Sequence, residues 1–172
     1  EKMQLTGKQY GTGDGSFKYD GQKNNRQKLI IGMVAEMIVY EKLQEDQNIE
    51  NVKWVSRYAA RVEPAYSGYN PHGTDGLGYD IEYTDRTGNK NFVEVKGKAD
   101  NQNCFEITIP EIEKAKQEKK FYHIIFVTNT LNEELRRIKY LGNLFMFEEG
   151  EDLLNNKRFS AVTKSYEIRF KE

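Results

Sequence analysis

The chain has 172 residues, 37% of them hydrophobic and 31% charged, enough apolar material for one domain with its own core. Its 26 basic and 27 acidic residues leave a net charge of −1. That balance argues against a dedicated non-specific nucleic-acid binder, so any such contact rests on local patches or on another domain or subunit. Cys104 is the one cysteine and there are two histidines, which excludes an internal disulfide and is too few for a zinc site. No apolar run reaches membrane-spanning length and no signal-peptide pattern opens the chain, so the expected setting is cytoplasmic with no membrane partner. The chain begins with Glu1, as expected of a tag remnant or a piece of a longer protein.

Residues 1–25 are rich in Gly, Asp, Lys and Asn and read as a flexible lead-in. The run Gly11-Thr12-Gly13-Asp14-Gly15 has no strand before it and no helix start after it, so it is not a phosphate loop. Residues 26–47 read as the first helix, apolar on almost all sides over 29–40 and therefore buried. Glu36 is the sole charged residue inside that stretch. Either it is held by a partner or a metal, or it faces solvent or a neighbouring lysine. Gly32, one turn earlier, allows another backbone to approach that face.

Residues 51–58 read as a strand with Val52 and Trp54 on one face. A long loop follows over 59–77, carrying Tyr66, Tyr69 and His72, and loops of this length in a compact domain are often functional. Strands over 78–84 and 91–97 flank the turn-forming Asp85-Arg86-Thr87-Gly88-Asn89 and make a β-hairpin. A strand over 103–109 precedes Thr108 and Glu111, spaced as a capping box for a helix over 109–119. The apolar run 121–128 reads as a core strand and 135–141 as another. Residues 148–156 form an acidic helix or turn, and 161–170 a closing strand. The order argues for an α/β domain, a mixed β-sheet flanked by helices.

The chemistry concentrates on the hairpin. Glu94 and Lys96 share one strand face while Val93 and Val95 take the other. With the turn centred near Thr87, Asp80 lies opposite Glu94 on the same face. Two carboxylates so placed repel, and a cation between them removes the conflict. Mg²⁺ takes hard oxygen ligands and keeps several waters, so Asp80, Glu94 and the Val95 backbone carbonyl form a candidate ligand set. Lys96 is placed to hold an attacking water or stabilise a pentavalent phosphorus. Glu36 can reach the same place from the helix. The plainer alternative is an exposed strand face with a Glu–Lys pair. Gly76, Gly78 and Gly97 bracket the strands where backbone can come close to a ligand.

Arg57 and Arg61, before the long loop, are candidate phosphate contacts, ahead of Lys114, Lys116, Lys119 and Lys120, whose interspersed acids mark a solvated helix face. His72 is either a phosphate contact or an ordinary loop histidine. His123 reads as a satisfied core histidine and Glu111 as a cap.

Together, Gly32-x-x-x-Glu36, Gly76-Leu77-Gly78-Tyr79-Asp80-Ile81 and Glu94-Val95-Lys96 resemble the PD-(D/E)xK nuclease superfamily. More closely the chain resembles the NO VEIN C-terminal domain family. It carries Gly32, Glu36, Val39 and Leu43 on the helix, then Trp54-Val55-Ser56, then the two hairpin motifs, then Thr108 and Glu111, over roughly residues 28–170. The resemblance implies a restriction-endonuclease-like fold. It implies Mg²⁺-dependent endonuclease cleavage of DNA, with Mn²⁺ able to substitute. In that reading Asp80 and Glu94 are metal ligands, Lys96 the catalytic lysine and Glu36 an accessory acid. Tyr79 stands where the superfamily often has proline. Related domains are joined to helicase or ATPase modules in bacterial restriction and phage-defence systems, which makes a motor subunit an expected partner. Double-strand cutting by a one-site domain implies a homodimer or larger assembly. The alternatives are a non-catalytic nucleic-acid-binding or partner-docking module with the same fold, or a nuclease acting on RNA.

Overall fold

The apolar run at 29–40 dictates the first element. In a computed structural model, which describes residues 17–62 and 75–162, helix α1 spans Phe17–Glu45, and no residue from Ile31 to Tyr40 is exposed. The helix begins well before residue 26. Lengthening an existing helix fixes one residue per hydrogen bond and needs no new nucleus, so the polar segment 17–25 joins it without an apolar stripe. Past its end, the Asp46 carboxylate accepts the Asn48 N–H at 2.9 Å and turns the chain. A division between two units falls at Ile30 and Ile31. The whole sheet lies in the second.

Five strands form one sheet: β1 Ile49–Trp54, β2 Ile81–Asp85, β3 Lys90–Gly97, β4 Tyr122–Thr128 and β5 Arg137–Gly142, ordered β1-β2-β3-β4-β5. β3 and β4 are parallel and the other pairs antiparallel. The sheet is mixed and helices flank it, as expected. The hairpin register also agrees: Ile81 opposes Val93 and Glu82 opposes Phe92. Its turn is built by Asp85, whose Oδ1 accepts the N–H groups of Thr87 at 2.9 Å and Asn89 at 3.0 Å. A parallel pair needs a crossover, supplied here by helix α3, Ile109–Glu118, and a 3₁₀ turn, Lys119–Phe121. The described parts of the 59–77 loop are helix α2, Ala59–Val62, and a 3₁₀ turn, Asp75–Leu77.

Strand alternation divides the core into two layers. Val93, Val95, Ile125 and Val127 meet Ala35, Val39 and Leu43 of α1, with Trp54 and Ile81. Phe92, Tyr122 and Ile124 meet Ala115, and Ile112 packs against that cluster. Each fully buried aliphatic side chain contributes about 1.5–3 kcal/mol. The face that carries Phe92 also carries Glu94 and Lys96, so both charged residues lie on the α3 side of the sheet.

Several expectations change. Residues 103–109 form no strand. Phe105 and Ile107 instead pack on the α3-side core, Phe105 with its ring 5.2 Å from that of Phe126. Alternation marks a buried face, and β3 and β4 already have ladder partners on both sides. β1 stops at Trp54 because the Val55 and Ser56 N–H groups turn to the Asp80 carbonyl, at 2.8 and 3.3 Å. Gly32 faces the Tyr58 ring and not another backbone. Residues 148–156, expected as an acidic helix or turn, take the second form, with turns and bends. Of the expected 161–170 strand, 161–162 are not in a strand and the rest lies outside the described residues, as do Tyr66, Tyr69 and His72. Among the described residues no helix is long and apolar enough to cross a membrane.

Candidate active site

Asp80 lies just before β2 and is stitched into both neighbouring strands. Its N–H donates to the Val93 carbonyl at 2.9 Å, and its carbonyl accepts from Val55 and Ser56. Its Oδ2 accepts the Val95 N–H at 2.8 Å. The N–H and C=O of one strand residue point to the same side, so the Val95 carbonyl faces the edge where the Asp80 carboxylate sits. Burial, and the nearby Glu36 carboxylate, push Asp80 well above its usual range, against the Val95 hydrogen bond.

Glu94 is buried, and its Oε1 lies 2.7 Å from Lys96 Nζ. Burial, then Asp80, raise its carboxyl well above normal, with Lys96 opposing. The Lys96 ammonium also reaches Glu111 Oε2 at 2.7 Å. Burial disfavours its charge, but the two carboxylates outweigh that and raise its pKa. The hairpin face is thus not an exposed Glu–Lys pair. It holds desolvated acids whose repulsion one lysine only partly offsets.

Glu36 is buried on α1. Its Oε2 accepts the Trp54 indole N–H at 2.7 Å and the Ser56 hydroxyl. Burial raises its pKa to about 8, opposed by those two hydrogen bonds and assisted by Glu94 and Asp75. Of the two sequence readings of Glu36, the held one is correct. The Ser56 side chain binds Glu36 while its N–H bonds the Asp80 carbonyl, so a two-residue step after β1 ties the acid on α1 to the acid before β2.

Two glycines bring backbones together. Gly78 has φ +74°, and a Cβ there would lie 2.8 Å from the Pro110 carbonyl oxygen. A Cβ on Gly97 would lie 2.9 Å from Ala35 Cβ. The close approaches expected around the hairpin are therefore to α3 and α1. They seat both helices against the ends of the charged strands. The Tyr122 hydroxyl donates to the Gly78 carbonyl at 3.0 Å and holds the same segment.

Arg57 is exposed beside the site, with Nε 2.9 Å from Asp75 Oδ2. Arg61 is exposed on α2. Lys114 pairs with Glu118 at 2.7 Å and covers the Phe92 ring. His123 is satisfied by Asn91 Oδ1 at 3.0 Å. Sequence reasoning read Glu111 as a cap alone. It does accept the Thr108 N–H at 2.9 Å, and the Thr-x-x-Glu spacing announces that bond. Nothing in the spacing announces the bond to Lys96, which is fifteen residues away.

The donor set suits a hard cation. Two carboxylates and a backbone carbonyl are a set Mg²⁺ can take while it keeps several waters. Among the described residues no group of three or more His, Cys, Asp or Glu is arranged to hold a metal ion.

The class defined by this geometry is an α/β domain with a mixed sheet that gathers two acids and a lysine at one end of a central hairpin. Residues 35–141, more than half the chain, match the family described as Protein NO VEIN, C-terminal, and the chain belongs to that family. The match contains Glu36, Asp80, Glu94, Lys96 and Glu111. No curated protein and no solved structure matches the chain.

Proposed function

We propose that the protein is a metal-dependent endodeoxyribonuclease of the PD-(D/E)xK, restriction-endonuclease-like kind, serving as the nuclease domain of a restriction or phage-defence system. One observation carries the reading. Asp80 and Glu94 are both raised well above their ordinary range while the Lys96 ammonium stands beside Glu94. At such a site a bound divalent cation would let both acids give up their protons. Asp80, Glu94 and the Val95 carbonyl would hold Mg²⁺ or Mn²⁺, which when bound would supply Lewis acidity toward a phosphoryl oxygen and lower the pKa of an attacking water.

The chain's own residues do the rest. Lys96, kept cationic by its two carboxylate partners, stabilises negative charge gathering on phosphorus and orients the attacking water. Glu36, with a pKa near 8, carries its proton at neutral pH and acts as an accessory acid that can hold a water or pass on a proton. Arg57 and Arg61 contact backbone phosphates. The near-neutral net charge fits a domain that receives DNA from a motor subunit, and double-strand cutting calls for two copies.

The test is plasmid nicking with Mg²⁺ and Mn²⁺ on unmodified and methylated DNA, wild type beside Lys96→Ala, with a single-stranded RNA arm. Cutting of DNA by the wild type alone supports the reading. Cutting of RNA alone moves the substrate to RNA. Equal cutting by both proteins sinks the site assignment.

A second reading has its own observation. Lys96 already ion-pairs both Glu94 and Glu111 at 2.7 Å, a closed arrangement that suits a non-catalytic module that docks nucleic acid or a partner. Salt-dependent DNA binding without cleavage under any divalent ion supports it.

A further inference from the structure

Lys96 has two carboxylate partners at the same distance, and they differ in kind. Glu94 is on the same strand, two residues away, and is a candidate metal ligand. Glu111 comes from the first turn of α3 and is not part of the ligand set. A lysine has a four-carbon stem and loses much rotamer freedom when fixed, so holding its ammonium at one place needs a rigid partner.

Glu111 is rigid for identifiable reasons. Its Oε2 takes the Thr108 N–H at 2.9 Å as well as the lysine. Pro110 of the same turn is pressed against Gly78, where a Cβ would lie 2.8 Å from the Pro110 oxygen. Ala115 and Ile112 anchor the helix in the core. The first turn of α3 therefore touches the segment leading into Asp80 on one side and the lysine on the other.

We propose that Glu111 is the positioning residue that fixes the Lys96 ammonium at the site, so that the lysine stays in place when Glu94 turns its oxygens to another ligand. The capping box is then a framework device, and the carboxylate at its third helical position serves the strand opposite. The inference rests on the nuclease reading for its consequence, but the Lys96–Glu111 contact can be tested without it.

The experiment uses Glu111→Gln. Glutamine keeps a side-chain oxygen to accept the capping-box N–H but loses the charge that strengthens the bond to an ammonium. Lysine-selective ¹H–¹⁵N spectra of the metal-free protein read the exchange of the Lys96 ammonium with water, assigned by its loss in Lys96→Ala. The expected result is exchange about tenfold faster in Glu111→Gln than in wild type, with an unchanged melting temperature. Nicking by Glu111→Gln is expected to lose about 10–100-fold in kcat at unchanged KM.

Unchanged exchange overturns the proposal, whatever the nicking assay shows. Faster exchange with full nicking also overturns it, because the lysine then works without being fixed. If the cap weakens and the melting temperature falls, Glu111→Asp, which keeps a charge at the helix start but is one methylene short of the lysine, must show the same fast exchange. A wild type that nicks nothing defeats the nuclease reading and leaves the exchange result to decide the contact.

Discussion

Glu36→Gln isolates the electrostatic cost of one buried acid. In the folded protein the Glu36 carboxyl is raised from its ordinary 4.5 to about 8, chiefly by burial. Below pH 4.5 the folded and unfolded chains both keep the proton. From there to about 8 the unfolded chain releases it and the folded chain does not, so stability falls as pH rises and levels off above that range. At about 1.4 kcal/mol per pH unit, the interval amounts to about 5 kcal/mol, and about 3–5 kcal/mol is the working figure. Glutamine keeps an oxygen for the Trp54 indole and the Ser56 hydroxyl and has no charge to bury. Asp80 and Glu94 are raised in the same direction and are present in both proteins. The part of Asp80's elevation that Glu36 causes disappears with it and adds to the same difference. The assay is urea unfolding at a series of pH values from 4.5 to 8.5 without divalent ions, read by tryptophan fluorescence. The chain has one tryptophan, Trp54, and its indole N–H is bonded to Glu36, so the probe sits at the perturbed site. The variant should gain on the wild type steadily across the window, by a few kcal/mol at its upper end. Parallel stability curves would refute the reasoning, since they would mean that Glu36 ionises as freely in the folded chain as in the unfolded one.

At pH 8, Mg²⁺ is expected to raise the melting temperature of the wild type, by an amount equivalent to about 2.7 kcal/mol at a hundred times the dissociation constant. Asp80→Asn and Glu94→Gln should be more stable than wild type without metal and should lose the Mg²⁺ response. A metal-insensitive wild type rules out the ligand set. Gly97→Ala places a Cβ 2.9 Å from Ala35 Cβ and 3.0 Å from the Ile31 carbonyl oxygen, so urea melts should show a loss of about 1–3 kcal/mol, and a neutral result means α1 can move away freely. Arg57→Ala should weaken DNA binding and lower the slope of log affinity against log salt by about 1. Asp75→Asn, which frees Arg57 from its 2.9 Å ion pair, should do the reverse. Equal slopes in all three proteins would remove Arg57 from the interface.

Much of the architecture was legible because it rests on local rules. The turn at Asp85–Asn89 needs only its own residues, and once it is centred on Thr87 the hairpin register follows by counting, which put Asp80 beside the strand of Glu94 and Lys96. The apolar run at 29–40 is too long for an ordinary strand and reads as a buried helix, with Glu36 standing out as its one charge. The crossover helix announced its start through Thr108 and Glu111. Tertiary structure decided what those residues meet. The alternation at 103–109 reads as a strand, but whether a half-buried segment joins a ladder depends on a neighbour with free hydrogen-bonding groups, and β3 and β4 had none to offer. Gly78 and Gly97 could be seen as places of close approach, yet only packing showed that the approaching parts are Pro110 and α1. The partners of Glu36 and the grip of Glu111 on Lys96 join residues eighteen, twenty and fifteen positions apart in the chain. Contacts of that kind come from how layers stack, and chain spacing carries no record of them.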